Sequence, residues 1–157
     1  MKIGILSDSH DNLIKLDHAV KFFNRHKVDF VFHAGDFVAP FAVLKMKELE
    51  ANWAGVYGNN DGEKNGLFVA SEGRIKDGPR KMELEGKKII LTHELDKVAP
   101  EVEEAQIIIY GHSHKAEIKT MFSKLLINPG ECGGWLSGKS TVAILDTENL
   151  SAKVHDI

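Results

Sequence analysis

Five short apolar runs in this chain each stop abruptly at a cluster of Gly, Asp, Asn or His. The run Ile3, Ile5, Leu6 meets Asp8-Ser9-His10, Asp29 to Phe32 meets His33-Ala34-Gly35-Asp36, and Trp53 to Tyr57 meets Gly58-Asn59-Asn60-Asp61. Lys88 to Leu91 ends in Thr92-His93, and Gln106 to Tyr110 in Gly111-His112-Ser113-His114. Runs of this length and β-favouring composition read as buried strands. In open sheets covered by helices, ligands bind at the carboxyl ends of the strands. The pattern therefore demands a fold that gathers these strand ends along one edge. Asp8 and His10, two apart in extended chain, project to the same side. One hard oxygen and one imidazole nitrogen suit a borderline divalent ion. A lone Asp-x-His is more often a polar loop, but donors recurring just past each apolar run turn the reading to a metal site.

Between these runs the periodicity changes. Asp11 or Asn12 can cap a helix whose Leu13, Leu16, Val20 and Phe23 recur at helical spacing. Pro40 to Glu50 reads as a second helix, with Pro in its first turn and Phe41, Leu44 and Leu49 as apolar members. From Glu63 to Lys81 glycines and Pro79 break the pattern, leaving a short helix over Leu67 to Ala70. Met82 to Leu84 pairs with Lys88 to Leu91 across Glu85-Gly86-Lys87, and a brief helix is expected over 99–104. Glu117 to Phe122, Leu125 to Ile127, and an alternating hairpin of Ser140 to Asp146 with Ala152 to Ile157 complete the strands. Helices alternate with strands early and hairpins dominate late, so the expected class is mixed α/β, two packed sheets with helices outside.

Composition limits the function. At 157 residues, with 43% apolar and 27% charged residues, the chain fits one soluble domain with a core of its own. The net charge of −3 argues against an extended nucleic-acid surface. Basic residues from Arg74 to Lys88 alternate with acids, as on a solvated hairpin. The N-terminus lacks the pattern of a signal peptide, no apolar run has membrane-spanning length, and Cys132 is the single cysteine. These features point to a cytoplasmic protein without membrane partners. Self-association is left open.

The ordered series D-x-H, G-D, G-N-x-D/E, strand-end His and G-H-x-H resembles that of the calcineurin-like metallophosphoesterases, of the compact kind found in small prokaryotic phosphodiesterases. The likeness runs over essentially the whole chain. It implies a four-layer α/β/β/α sandwich and a metal-dependent phosphodiesterase acting on a small or nucleotide-like diester. It also implies that Asp8, His10, Asp36 and His114 hold one metal, and that Asp36, Asn59, His93 and His112 hold the other. Many relatives carry His after the metal-binding Asn, where it assists the leaving group; this chain has Asn60. Asp61 then orients Asn60 or a ligand, or is a turn residue. Glu94 stands where glycine is common and reads as a solvent-facing loop residue, His33 as a hydrogen-bonded core histidine, and Cys132 as a small packed side chain. The stretch before His93 is too short for a cap, so residues 1–157 are expected to form a single domain with an open site.

The chemistry follows from the donors. Asp36 can bridge two ions about 3.5–4 Å apart, because a carboxylate has two oxygens. Two divalent ions less two carboxylates leave a site of about +2, which attracts phosphate. A water shared by the ions loses its proton near neutral pH and attacks phosphorus in line. Four imidazoles favour Mn²⁺ over Ca²⁺, with Ni²⁺, Zn²⁺, Fe²⁺ and Mg²⁺ as alternatives. Competing readings are a phosphomonoesterase or nuclease on the same core, and a non-catalytic scaffold such as the eukaryotic relative in retromer. The scaffold reading requires lost ligands, whereas every expected position here carries a competent residue.

Overall fold

The computed structural model of the chain describes residues 1–100 and 103–157. Its first half alternates: β1 (Lys2–Leu6), α1 (Leu13–His26), β2 (Phe30–His33), α2 (Pro40–Val43), a 3-10 turn (Leu44–Glu48), β3 (Asn52–Val56), α3 (Lys64–Ala70) and a two-residue β4 (Ile75–Lys76). The second half is mostly strand: β5 (Arg80–Leu84), β6 (Lys87–Leu91), β7 (Ile107–Ile109), β8 (Glu117–Met121), β9 (Lys124–Asn128), β10 (Thr141–Asp146) and β11 (Ser151–Asp156). One sheet has the order β11-β10-β1-β2-β3-β4 and the other β5-β6-β7-β9-β8. Each is mixed, with parallel central strands and antiparallel hairpin partners.

Strand alternation sorts the core into layers. Ile3 and Ile5 point between the sheets, where they meet Phe32, Val56, Ile89, Leu91, Ile107 and Ile109. Leu6 and Val31 face the opposite way, onto Leu16, Val20 and Phe23 of α1. Each such fully buried side chain stabilises the fold by about 1.5–3 kcal/mol. Gly4 lies under α1, where a Cβ would sit 2.7 Å from the Phe23 ring, so only glycine lets the helix come this close. At the helix start Asn12 Oδ1 accepts the Lys15 N–H at 3.2 Å, satisfying one of the orphan donors there.

Two local expectations are corrected. The helix over Pro40 to Glu50 is one turn of α-helix followed by a 3-10 turn. Its buried members are Ala42, Val43 and Met46, whereas Phe41 and Leu44 are 53% and 52% exposed. Apolar residues three apart, Val43, Met46 and Leu49, match the three-residue period of a 3-10 helix rather than the α period. Helix α3 begins at Lys64, earlier than Leu67. On the outer face of the second sheet, Ile90, Ile108 and Leu126 are covered by Val98, Ala105 and Tyr110. Among the described residues the regular structure in that cover is the 3-10 turn Leu95–Lys97; the brief helix expected over 99–104 includes residues outside those described.

Register does the rest. Leu6 pairs with His33 and His33 with Gly55, while Leu91 pairs with Ile109 and Ile109 with Ile127. Parallel pairing thus aligns the carboxyl ends of β1, β2 and β3, and separately those of β6, β7 and β9.

Candidate metal centre

The aligned strand ends bring all seven expected donors together. His114 Nε2 lies 3.5 Å from Asp8 Oδ1, and His10 Nε2 lies 3.8 Å from the same oxygen. The donor atoms of Asp8, His10 and His114 fall within 4.8 Å of one another, as do those of Asp8, Asp36 and His93. Donors bound about 2.0–2.3 Å from one ion are spaced on this scale. On the other side, Asn59 Oδ1 is 2.9 Å from His93 Nε2 and 2.8 Å from His112 Nδ1. Asp36 joins the halves, its Oδ2 lying 3.5 Å from His10 Nε2 and 3.4 Å from His93 Nε2.

The two carboxylates are arranged alike. Asp8 Oδ2 accepts the His112 backbone N–H at 3.1 Å, and Asp36 Oδ1 accepts that of Asn60 at 2.9 Å. Each therefore keeps one oxygen tied to backbone and turns the other inward. In Asp36 it is Oδ2 that faces both halves. Asp8 Oδ1 and His10 Nε2 are shielded from solvent and make no hydrogen bond. Buried polar atoms left unpaired cost about 1–3 kcal/mol each. Inward-facing, mutually close oxygen and nitrogen donors of this kind fit a divalent cation.

Electrostatics agree. Burial raises the Asp8 carboxyl, outweighing the neighbouring Ser7 hydroxyl and the nearby His93 and His114. Burial also pushes Asp36 up, but contacts with His93 and with the Asn60 side chain and backbone hold it well below the usual carboxylate range. Burial disfavours the charged form of His93, and the Asp36 carboxylate reverses this, so its pKa rises. The ring is aimed by its other nitrogen: His93 Nδ1 lies 2.7 Å from the Ala34 carbonyl, which assigns the proton there and leaves Nε2 facing the centre.

Close approach, rather than turn-making alone, explains the glycines. Gly35 takes a positive φ of +99°, but a Cβ on Gly58 would strike the Asp36 carboxylate and one on Gly111 would strike Ser7 Oγ. The strain falls on the donors themselves. Asp8, His10, Asp36, His112 and His114 all adopt positive φ, as does Val38 at +82°, a conformation costly for a β-branched residue. Asp61 holds this loop. Its Oδ2 accepts from Asp36 N at 3.0 Å and Gly58 N at 2.7 Å, and its Oδ1 from Val38 N at 2.7 Å. Asp61 thus contacts the backbone of the Asp36 and Asn59 loops. Asn60 Nδ2 donates to Asp36 Oδ2 at 2.8 Å, so its amide is turned onto that carboxylate.

His33 is fully buried, stacked on Phe37 at 3.6 Å between ring centroids, with Nε2 3.0 Å from Ser9 Oγ. Burial pushes it down to about 3, keeping it neutral. It belongs to the packing behind the loop. Glu94 pairs with Lys97 at 2.6 Å. Cys132 is buried and pushed up to about 12.

Glu131 is a residue that the strand-end pattern missed. It is buried, and its oxygens accept the N–H groups of Trp135, Leu136 and Ser137 and the Ser137 hydroxyl. Burial raises its pKa, but these donors outweigh burial and bring it down to about 2. Its Oε1 also faces His114 Nδ1 at 3.3 Å, opposite the nitrogen that looks at Asp8. The signal lay in Asn128-Pro129-Gly130-Glu131, a sixth strand end that finishes in a carboxylate.

Known proteins resemble this chain in sequence and in fold. A profile of the calcineurin-like phosphoesterase superfamily domain matches residues 1–150. The chain is 40% identical over 156 residues to a phosphodiesterase of Methanocaldococcus jannaschii, covering 94% of each. It is similar in structure to an archaeal phosphodiesterase, with a TM-score of 0.92, 37% identity and full coverage of both chains. The phosphoesterase Yfce of E. coli shares the fold, with a TM-score of 0.76 at 20% identity over 100% of this chain and 98% of that one.

Proposed function

This chain belongs to the calcineurin-like phosphoesterase superfamily, and we propose that it is a metal-dependent phosphodiesterase working at the centre described above. Asp8, His10 and His114 would hold one divalent ion and Asn59, His93 and His112 a second, with Asp36 touching both. The observation that carries the two-ion reading is the position of Asp36 Oδ2, 3.5 Å from His10 Nε2 and 3.4 Å from His93 Nε2. When bound, such ions supply positive charge for the phosphoryl oxygens and lower the pKa of water for in-line attack. Nitrogen donors from four histidines favour Mn²⁺ over Ca²⁺.

The protein's own groups prepare the site. The Ala34 carbonyl orients His93, and the Glu131 carboxylate stands 3.3 Å from His114 Nδ1. Asp61 fixes the strained loop that carries Asp36. Asn60 donates to Asp36 but has no proton to give a leaving group at accessible pH, which favours diesters with acidic leaving groups over monoesters of basic alcohols. Residues 1–157 act as one domain, and the 30-residue span between β3 and β6, 57–86, holds only α3, β4 and β5, too little for a cap. No helix among the described residues is long and apolar enough to cross a membrane. We infer a cytoplasmic enzyme whose partner is a small phosphodiester.

A metal-reconstituted activity panel tests this: bis(p-nitrophenyl) phosphate, the matched monoester and single-stranded DNA, each with Mn²⁺ and after chelation. Diester hydrolysis that depends on metal and exceeds the other two supports the reading. Faster monoester hydrolysis would assign a phosphomonoesterase, faster DNA cleavage a nuclease, and inactivity with bound metal a scaffold.

A further inference from the structure

An open groove of about 570 Å³ begins at His112 and runs away from the centre between the segment after β6 and the start of β8. Its size falls within the range of about 300–1,000 Å³ typical of small-molecule sites. Leu95, the Tyr110 ring and Ala116 give it apolar surface, while Asp96 and Lys115 bring hydrogen-bonding groups. Because His112 also faces Asn59 Oδ1 at 2.8 Å, a phosphoryl group at the centre would direct one ester substituent into this groove.

The groove's charges cancel. Glu94 pairs with Lys97 at 2.6 Å, and Glu117 with Lys119 at 2.7 Å. The Tyr110 hydroxyl also donates to Glu117. Asp96 and Lys115 then contribute one charge of each sign. A second phosphate arriving here would find no surplus cation, whereas tracking a continuing nucleic-acid backbone requires several. Apolar surface with a few polar groups suits a neutral ring system instead.

We propose that this groove binds one ester arm of the substrate and selects an uncharged arm of about nucleoside size, so that the favoured diesters end in such an arm rather than in a continuing phosphate chain. The proposal rests on the phosphodiesterase reading and adds its substrate class.

Calorimetric titration of the Mn²⁺-loaded protein with inorganic phosphate, thymidine 5′-monophosphate and thymidine 3′,5′-bisphosphate separates the two claims. The monophosphate should bind at least about tenfold more tightly than inorganic phosphate, and the bisphosphate no more tightly than the monophosphate. Ala116→Trp, filling the groove from an exposed position, should erase the monophosphate's advantage while inorganic phosphate stays within about twofold. Asp96→Lys should favour the bisphosphate by about fivefold or more, since it adds an unpaired cation. Equal affinities for phosphate and monophosphate in the unmodified protein, or an advantage that survives Ala116→Trp with the fold verified by circular dichroism, would overturn the groove assignment alone. Inorganic phosphate failing to bind the metal-loaded protein would overturn the phosphodiesterase reading, and the groove assignment with it.

Discussion

Replacing Glu131 by Gln keeps the side chain's shape but turns one acceptor oxygen into an NH₂ donor. Oε1 accepts from Trp135 N at 2.7 Å and Leu136 N at 3.0 Å, and Oε2 from Ser137 N at 2.9 Å and Ser137 Oγ at 2.7 Å. With the NH₂ in the Oε1 place the Trp135 and Leu136 N–H groups lose an acceptor; in the Oε2 place only the Ser137 N–H does, because the Ser137 hydroxyl can accept from the NH₂ while donating to the Lys139 carbonyl at 2.8 Å, so at least one part-buried N–H is stranded. At about 1–3 kcal/mol for one unpaired group, the loss is of that order. These donors also hold the carboxyl pKa down from 4.5 to about 2, so it is the charged form that they favour. For a domain of this size about 2–4 °C accompanies each kcal/mol, so the metal-free variant should melt roughly 2–12 °C lower at pH 7. The folded pKa is depressed, so this stability is present above the unfolded value of 4.5 and fades as the pH falls through about 2. The gap between the two proteins should accordingly shrink to roughly half or less at pH 3. Calorimetric melts in chelator at both pH values are the assay. A difference under about 2 °C at pH 7, or one indifferent to acid, would refute the role drawn for Glu131.

Asp36→Ala should abolish measurable turnover while circular dichroism shows the fold retained, and Glu94→Ala should cost far less, since Glu94 pairs with Lys97 and is none of the seven donors; near-normal turnover in Asp36→Ala would refute the two-ion mechanism. Across aryl phosphodiesters of graded leaving-group pKa, the rate should fall steeply for the natural protein and more gently for Asn60→His, because general-acid help is worth about 10²–10⁴-fold. A shallow slope without the substitution would mean that another group supplies the proton. Cys132, buried with its thiol pushed up to about 12, should resist iodoacetamide in the folded protein and react only in denaturant; rapid labelling of the native state would contradict the packing.

The strand ends were legible because a parallel strand buried on both faces reads as a continuous apolar run, and its donors follow at once. Ile107–Ile109 before Gly111-His112-Ser113-His114 is the clearest case. Less legible were features set by distant contacts. Gly58 and Gly111 read locally as turn residues, yet each leaves room for a side chain brought in by another strand. Glu131 binds backbone just after itself and faces His114, seventeen positions earlier, so neither period nor motif marked it. The two-residue β4 lies in a stretch broken by glycines and exists because Gly55 and Val56 offer it an edge. The second helix misled because Phe41 and Leu44 are apolar but exposed, while the smaller Ala42 and Val43 pack inward. Apolarity there carried less information than spacing.

Anomalous scattering from crystals of the Mn²⁺-loaded protein tests the central claim most directly. Two peaks about 4 Å apart are predicted, one touched by Asp8, His10 and His114, the other by Asn59, His93 and His112, with Asp36 at both. A single peak, or peaks away from Asp36, would contradict the dinuclear centre on which the proposed chemistry depends.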